Sequence, residues 1–334
     1  MAKRRLTEQQ KRRISSNKQN LTETDNHNSD NNIFDGLVVS HHGRKLVVET
    51  EDKKQISCKF RQNLGDIACG DNVVIQLDKK SLTSQQADKQ QAVVIAVKDR
   101  RNLLEKTGFG DKAKAVAANI GQVAIVCSVE PEPNPYLIDR YLVATENLGA
   151  NALIIINKAD LINDENEEAI NKLKEIYEKI GYKALLTSIK KNIGTEALKS
   201  ALIDTTSIFV GLSGVGKSSL VKMLLPESEI RIGEVSAASG EGKHTTTVSS
   251  LYHLPDGGSI IDSPGVRDFT PCNRNKENIV NGFIELEHYR GFCKFANCTH
   301  TTEPGCAIIE ALKNDELSQQ RVNSFRKMIE DLND

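Results

Sequence analysis

The sequence predicts a multidomain protein with a small N-terminal β-barrel, a central α/β domain and a C-terminal α-helical domain that binds a metal ion. Three observations predict this fold class. Short, alternating β-branched segments fill residues 33–101, apolar strands alternate with helices through residues 102–270, and cysteine and histidine cluster within residues 271–334. A chain of 334 residues is long enough for two or three such domains.

The first segment, residues 1–32, is predicted to be a disordered basic arm. Lysine and arginine crowd its first half and Asn, Ser and Thr dominate the rest, so it lacks the apolar surface needed to fold. Contact with nucleic acid and a merely solvated tail explain the arm equally well. The net charge of the whole chain is −1, which by itself points to no partner.

The chain shows no long apolar run and no signal-peptide pattern, which predicts a cytoplasmic protein without a membrane partner. We also expect a monomer. Its seven cysteines are an odd number, and several lie close together near the C-terminus. That distribution indicates a reducing compartment and a metal site rather than a disulfide framework.

Five short strands in residues 33–101 predict an OB-type barrel, a fold that often binds oligonucleotides through one face. Basic side chains at 59, 61, 100 and 101 are explained equally well as an RNA-contacting surface or as a solvated rim. The predicted strands are Leu37–Val39, Lys45–Val48, Ile56–Phe60, Val73–Leu77 and Ala92–Val97.

Residues 102–270 predict a parallel sheet covered by helices on both faces, because continuous apolar strands alternate with amphipathic helices. Strands are predicted at Gln122–Val129, Ala152–Ile156, Ala184–Thr187, Ile208–Val210 and Ser259–Ile261, and helices at Tyr136–Asn147, Glu165–Ile180, Ile193–Leu202 and just after Ser218.

The fourth of these strands runs into a glycine loop that fits G-x-x-x-x-G-K-[ST] and then into a helix. In a phosphate-binding loop, glycines let backbone N–H groups face the phosphates, and the helix N-terminus faces the same place. Lys217 is expected to reach the β- and γ-phosphates and assist catalysis, and Ser218 to bind Mg²⁺. The predicted binding residues are Gly211, Leu212, Ser213, Gly214, Val215, Gly216, Lys217, Ser218 and Ser219.

The sequence N-K-A-D, from Asn157 to Asp160, directly follows an apolar strand. Ligands of open α/β sheets lie at the carboxyl ends of strands, so this segment is placed to read a base. Asp160 can accept both the N1–H and the exocyclic amine of guanine, whereas adenine leaves the carboxylate unmatched. Lys158 is expected to lie across the base and Asn157 to brace the loop, with Ala159 beside them. Thr187 and Ser188 are expected to add backbone contacts.

Two further segments are predicted to be nucleotide-sensing switches. The sequence G-K-H-T-T-T, residues 242–247, follows a Gly/Ser/Ala-rich stretch, as expected of a loop that orders around a γ-phosphate. Asp262 begins D-S-P-G, in which Asp262 is expected to hold Mg²⁺ through water and the Gly265 N–H to meet the γ-phosphate. A threonine of the first switch is expected to bind the same Mg²⁺. We assign this role to Thr246, and Thr245 and Thr247 are the alternatives.

The order of these parts is unusual. In ordinary Ras-like GTPases the phosphate loop comes first and N-K-x-D near the end, whereas here Asp160 precedes Gly211 and the switches come last. The same sheet has this order when it is folded from a chain that is cut between the second switch and the N-K-x-D strand. We therefore predict a circularly permuted GTPase domain whose second switch leads into the C-terminal domain.

The C-terminal domain carries the spacing Cys-x₄-Cys-x-His-x₅-Cys. Three thiolates and one imidazole supply four ligands for a tetrahedral zinc ion and leave no position open for chemistry. The sequence therefore predicts one structural zinc site, and unrelated buried cysteines are the weaker alternative. The predicted ligands are Cys293, Cys298, His300 and Cys306. Helices at Ala307–Leu312 and Leu317–Leu332 are expected to pack against the site.

Together these features resemble the RsgA (YjeQ) family of circularly permuted GTPases that depend on the small ribosomal subunit. The resemblance covers residues 33–330 and rests on the permuted order and the cysteine spacing. It implies an assembly factor that binds the nearly mature small subunit and its rRNA, hydrolyses GTP under the subunit's stimulation, and then leaves. Leu212 and Lys243 depart from the family pattern, where a polar residue and an arginine are usual.

The residue after Gly265 is Val266, where many GTPases place a glutamine that orients the attacking water. A valine cannot do so. Our hypothesis is that His244 positions this water once ribosomal RNA orders the first switch, which makes the free protein a slow GTPase. Contact with RNA or simple filling of the loop is the alternative role of His244.

Two other functions fit the sequence less well. A translation or signalling GTPase would be indifferent to small subunits. An RNA-binding zinc/OB protein that uses GTP as a switch outside ribosome assembly, or has lost GTP binding, is the other alternative. The intact phosphate-loop and base-reading residues Lys217, Ser218, Asp160 and Asp262 disfavour a lost nucleotide site.

Overall fold

The fold is known from a computed structural model, which describes residues 32–42, 45–61, 64–78, 91–107, 113–225, 249–263, 275–296, 298 and 300–332. The arm up to residue 31 and the switch residues His244, Thr246 and Gly265 lie outside the described residues.

The N-terminal strands close into a five-stranded barrel, as the sequence predicts. The first strand pairs antiparallel with both the second and the fourth, the third pairs parallel with the fifth, and the fourth pairs with the fifth. Side chains alternate along each strand, and the inward set fills a core that includes Val38, Leu46 and Ile75. The strands are β1 (Ile33–His42), β2 (Lys45–Thr50), β3 (Gln55–Phe60), β4 (Asn72–Leu77) and β5 (Gln91–Val97).

A hairpin that the sequence does not predict joins the barrel to the central domain. It consists of β6 (Leu103–Thr107) and β7 (Ala113–Ala118). Alanine has a low strand propensity, so the second strand gives no β signal. Small side chains suit its position, because Ala117 and Ala118 are fully buried and Ala117 bridges to Cys69 of the barrel.

The central sheet has the strand order β10-β9-β8-β11-β13-β12, in which all neighbours are parallel except the last pair. The strand β12 was not predicted, because its Ser-Ser-Leu-Tyr-His sequence has a single buried residue, Leu251. The strands are β8 (Gln122–Ser128), β9 (Asn151–Asn157), β10 (Lys183–Leu186), β11 (Thr206–Val210), β12 (Ser249–His253) and β13 (Ser259–Asp262).

The predicted helices of this domain are present, with ends displaced by one or two residues. They are α1 (Pro135–Leu148), α2 (Glu167–Ile180), α3 (Thr195–Ala201) and α4 (Lys217–Leu224). Because β11 lies between β8 and β13, the strand that carries the glycine loop occupies the middle of the sheet although it comes late in the chain. This arrangement is the one predicted for a permuted P-loop domain.

The C-terminal domain is helical, with a core formed by Ile279, Phe283, Val322 and Phe325 that also receives Val143 of α1. A helix at residues 276–282 and a 3₁₀ turn at Ile284–Tyr289 add to the two predicted helices. The helices are α5 (Lys276–Gly282), α6 (Ala307–Lys313) and α7 (Gln319–Glu330). Among the helices that the structure describes, none has both the length and the apolar character needed to cross a bilayer.

The barrel and the central domain share one sheet. Strand β12 at the edge of the central sheet pairs antiparallel with β1, with Ser250 opposite Ser40. A bulge between Val38 and Ser40 interrupts the register of β1, and Val39 at the bulge packs in the core of the central domain with Ile261. Eleven of the thirteen described strands therefore form one sheet that runs through both domains, and β6 and β7 pair separately.

Candidate nucleotide site and metal centre

The glycine loop that follows β11 has a backbone that other residues cannot adopt. Gly211, Gly214 and Gly216 have φ angles of 137°, 82° and 96°. A Cβ on Gly211 would lie 2.1 Å from the Val126 carbonyl oxygen, and one on Gly216 would lie 2.3 Å from Asn157 Nδ2. The glycines thus let the loop turn tightly between β11 and α4.

Lys217 begins α4 and folds back across the loop. Its Nζ donates to the carbonyl oxygens of Gly211, at 2.7 Å, and Leu212, at 2.6 Å. Val215 is buried beneath the loop, while Ser218 remains exposed at the first turn of the helix. The loop therefore presents a cation and a hydroxyl on the same open side.

Asn157, at the end of β9, ties the N-K-A-D segment to the glycine loop. Its buried side chain donates to the Val215 carbonyl oxygen at 2.9 Å and accepts from Thr187 Oγ1 at 3.1 Å. The neighbouring Lys158 has a left-handed backbone, with φ of 58°, and its Nζ donates to the Glu130 carbonyl oxygen at 2.5 Å. Four separate segments of the chain are thereby fixed to one another.

The side-chain hydroxyl of Ser188 orients Asp160, whereas the sequence predicts only backbone contacts from Ser188. The buried Ser188 Oγ donates to Asp160 Oδ1 at 2.5 Å, and Lys190 Nζ lies 4.0 Å from Oδ2. The hydrogen bond from Ser188 lowers the pKa of Asp160, with a smaller contribution from the nearby lysines. Asp160 is therefore held as a carboxylate. The signal for this role was a pair of hydroxyl residues, Thr187 and Ser188, directly after a strand.

Asp262 ends β13 on the same edge of the sheet. Ile208 of β11 pairs in parallel with Ile261, so Asp262 emerges beside the start of the glycine loop. The strands β8, β9, β11 and β13 all end at this edge, which brings together the loop, the N-K-A-D segment and Asp262. The predicted partners Thr246, His244 and Gly265 lie outside the described residues.

The four predicted metal ligands lie together. Their ligand atoms are all within 4.8 Å of one another. Cys293 Sγ is 3.5 Å from His300 Nδ1 and 3.9 Å from Cys306 Sγ, and Cys306 Sγ is 3.4 Å from the same nitrogen. Tetrahedral Zn–S bonds of about 2.3 Å place sulfur atoms about 3.8 Å apart. The cluster of three thiols and one imidazole can therefore hold a metal ion of the size of zinc.

Helix α7 supports this cluster from one side. Arg326 Nε donates to the His300 carbonyl oxygen at 2.7 Å, and the Phe325 ring lies 6.0 Å from the His300 ring. His300 itself has a left-handed backbone, with φ of 61°. The metal cluster and the C-terminal helix therefore form one structural unit.

Comparison with known proteins agrees with this geometry. The model of the RsgA GTPase family matches residues 97–271. A protein named "Small ribosomal subunit biogenesis GTPase RsgA" from Klebsiella pneumoniae is 39% identical over 340 residues, covering 99% of this chain and 96% of that protein. Another with the same name, from Photorhabdus laumondii, is 40% identical with the same coverage.

Two solved structures are also similar. YjeQ from Thermotoga maritima is 32% identical with a TM-score of 0.71, and the match covers 90% of this chain and 98% of that one. YloQ, described as a circularly permuted GTPase, is 26% identical with a TM-score of 0.68 over 92% of this chain and 98% of that one. With its permuted sheet, glycine loop and cysteine cluster, the chain belongs to the RsgA family of GTPases.

Proposed function

We propose that this protein is a cytoplasmic GTPase that binds the small ribosomal subunit and its rRNA late in maturation. The subunit stimulates hydrolysis of GTP to GDP and phosphate, and hydrolysis leads to release. The observation that carries the nucleotide part is the Asp160 carboxylate, fixed by Ser188 beside the glycine loop. The names of the relatives support the small subunit as the partner.

Guanine recognition follows from the fixed carboxylate. Two oxygens of Asp160 accept the N1–H and the exocyclic N–H of guanine, and adenine offers no matching pair of donors. Lys158 lies with its aliphatic stem across the base, held through the Glu130 carbonyl oxygen. Asn157 fixes the distance between the base and the phosphates, because its side chain holds the loop at Val215. Ala159 continues the same segment.

The phosphates occupy the glycine loop. Its backbone N–H groups, from Gly211 to Ser219, surround the β-phosphate, and Lys217 exchanges its two carbonyl partners for phosphate oxygens. Ser218, Asp262 and Thr246 are the residues that would hold Mg²⁺, which neutralises charge on the β- and γ-phosphates. Gly265 donates its N–H to the γ-phosphate.

His244 orients the attacking water in this proposal, and Lys217 stabilises the charge that develops on the transferred phosphoryl group. The apolar Val266 leaves the usual glutamine role to another residue. The metal bound by Cys293, Cys298, His300 and Cys306 is a structural zinc ion, since four protein ligands leave no open position.

The test is GTP turnover measured for the protein alone, with small subunits and with large subunits. We expect slow turnover alone and a large increase with small subunits only. Stimulation by large subunits only, or no stimulation, would overturn the proposal. His244→Ala should lose the stimulated rate while it still binds subunits, and an unchanged rate would remove the catalytic role of His244.

Base recognition is tested by Asp160→Asn. An asparagine offers one donor and one acceptor, which match the C2 carbonyl and N1–H of xanthine, so preference should move from GTP to XTP. Ser188→Ala is the matched variant, because it keeps the carboxylate and removes only its orientation. We expect it to weaken GDP binding roughly tenfold without changing base preference. If the Asp160→Asn variant bound GTP as tightly as the wild-type protein does, this assignment would be contradicted.

A further inference from the structure

We propose that Phe292 and Phe295 form an aromatic platform on which unpaired RNA bases stack. The platform lies beside the metal ligand Cys293, and the inference rests on the proposed function because it specifies how the C-terminal domain contacts RNA. Aromatic side chains are few in this chain, at 4% of residues, so their placement in the open is informative.

The first observation is exposure. Phe292 is 76% exposed and Phe295 is 42% exposed, and Phe292 has the highest exposure among the large apolar side chains that the structure describes. Their neighbours Phe283 and Phe325 are buried in the core of the same domain, with ring centroids 5.4 Å apart. The core of this domain buries two phenylalanines, yet Phe292 and Phe295 remain exposed outside it. Such exposed aromatic side chains indicate a binding surface.

The second observation is that the backbone holding these rings is fixed before any partner binds. The Phe292 N–H donates to the Tyr289 carbonyl oxygen at 3.4 Å, and the Phe295 carbonyl oxygen accepts from the Cys298 N–H at 3.2 Å. Between the rings, the Lys294 N–H donates to the Gly305 carbonyl oxygen at 2.9 Å. A partner that stacks on these rings therefore orders little of the protein.

The third observation is two exposed cations in the same segment as the rings. Lys294 Nζ lies 5.6 Å from the centre of the Phe295 ring, and Arg290 is exposed, with Nη2 donating to the Val280 carbonyl oxygen at 2.7 Å. Acidic side chains lie nearby as well: Glu287 is exposed, and Glu303 Oε2 accepts hydrogen bonds from the N–H groups of Thr301 and Thr302. A cation in contact with an exposed ring matches a strand of RNA, whose bases stack while its phosphates meet the cations.

The chain contains no tryptophan, which allows a direct test in the full-length protein. Phe292→Trp places a single indole in the platform. Single-stranded RNA of mixed sequence should quench its fluorescence, because bases stack on the ring. Ile203→Trp is the matched control, since Ile203 is 43% exposed and lies in the central domain. Equal quenching of both variants, or no quenching, would overturn the proposal.

The second measurement is the affinity of the protein, loaded with a GTP analogue, for the same RNA and for small subunits. Phe292→Leu with Phe295→Leu keeps the apolar side chains but removes the aromatic faces, and it should weaken binding to both at least tenfold. Phe292→Tyr with Phe295→Tyr should bind like the wild type. Metal content of each variant shows that the domain remains folded. Unchanged binding by the leucine variant would refute stacking.

Two other outcomes are distinguishable. If the leucine variant loses affinity for subunits but not for RNA, the surface binds a ribosomal protein and the proposed stacking is wrong. If the wild-type protein binds no small subunits, the proposed function fails, and the fluorescence measurement still decides whether bases stack on Phe292.

Discussion

The barrel and the C-terminal domain are attached to the central domain in opposite ways. The barrel joins through the backbone ladder between β1 and β12, with Val39 inserted into the central core. The C-terminal domain joins through a buried cluster of charges between α7 and α1, and Val143 of α1 also packs in its apolar core. A backbone ladder tolerates many side chains, whereas a buried charge requires its partner.

Arg321 is the centre of that cluster. It is 1% exposed, and its guanidinium contacts Asp139 of α1 and Glu285, each at 2.7 Å. Asp139 also accepts a hydrogen bond from Tyr177 at 2.8 Å, and the Phe283 ring lies 4.3 Å from the guanidinium. Burial by itself lowers the pKa of Arg321, but the two carboxylates raise it above its ordinary value. Arg321 therefore stays charged.

The largest effect is expected for the metal site, on which the folding of the C-terminal domain depends. Cys306→Ser removes a ligand that is 1% exposed, and structural zinc contributes on the order of 10 kcal/mol to domains of this kind. We expect loss of the bound metal and of amide exchange protection in α6 and α7, with the barrel unchanged. Cys58→Ser, also 1% exposed but in the barrel, should keep the metal. If the Cys306→Ser variant kept its full metal content, Cys306 would not be a metal ligand.

The next largest effect is expected for Arg321→Met. It leaves the buried carboxylate of Asp139 and the partly buried one of Glu285 without their partner, which should cost about 3–5 kcal/mol of the free energy of unfolding, measured by urea denaturation. Adding Asp139→Asn should restore part of the loss. Lys327→Met is the comparison variant: Lys327 is exposed on the same helix and its Nζ lies 4.5 Å from the centre of the Tyr136 ring of α1, so loss of this exposed contact should cost less than about 1 kcal/mol. Equal costs of the two methionine variants would show that the charge cluster is not the attachment.

A smaller effect is expected at the barrel side. Val39→Ala removes two methyl groups from a side chain that is 4% exposed, at a cost of about 2 kcal/mol. Val38→Ala is the matched variant, because Val38 faces the barrel core. Amide exchange in β12 should increase for Val39→Ala and not for Val38→Ala. Identical exchange patterns would mean that the bulge does not join the two cores.

The smallest effect is expected for a side-chain hydrogen bond that spans the same junction. His253 of β12 contacts Glu49 of β2 at 2.8 Å, and its side chain is 38% exposed. His253→Gln should change the free energy of unfolding by less than about 1 kcal/mol, since the backbone ladder remains. A loss as large as that of Arg321→Met would abolish the contrast between the two junctions.

Local patterns explain how much was predictable. The five barrel strands, the alternating strands and helices, the glycine loop and the cysteine spacing all have short-range signals in the sequence. Other features lacked them. The β6–β7 hairpin is formed partly by alanines, β12 is a polar strand, and the role of Ser188 depends on Asp160, which follows a different strand.

The three modules, the permuted order and the candidate residues for guanine, phosphate and metal are each encoded by residues close together in the chain, so short-range patterns predict them. The sheet shared by the barrel and the central domain, and the contact of Arg321 with Asp139, become visible in the folded molecule alone. Strand pairing between domains and the burial of a charge depend on partners far apart in the sequence, which no local periodicity records.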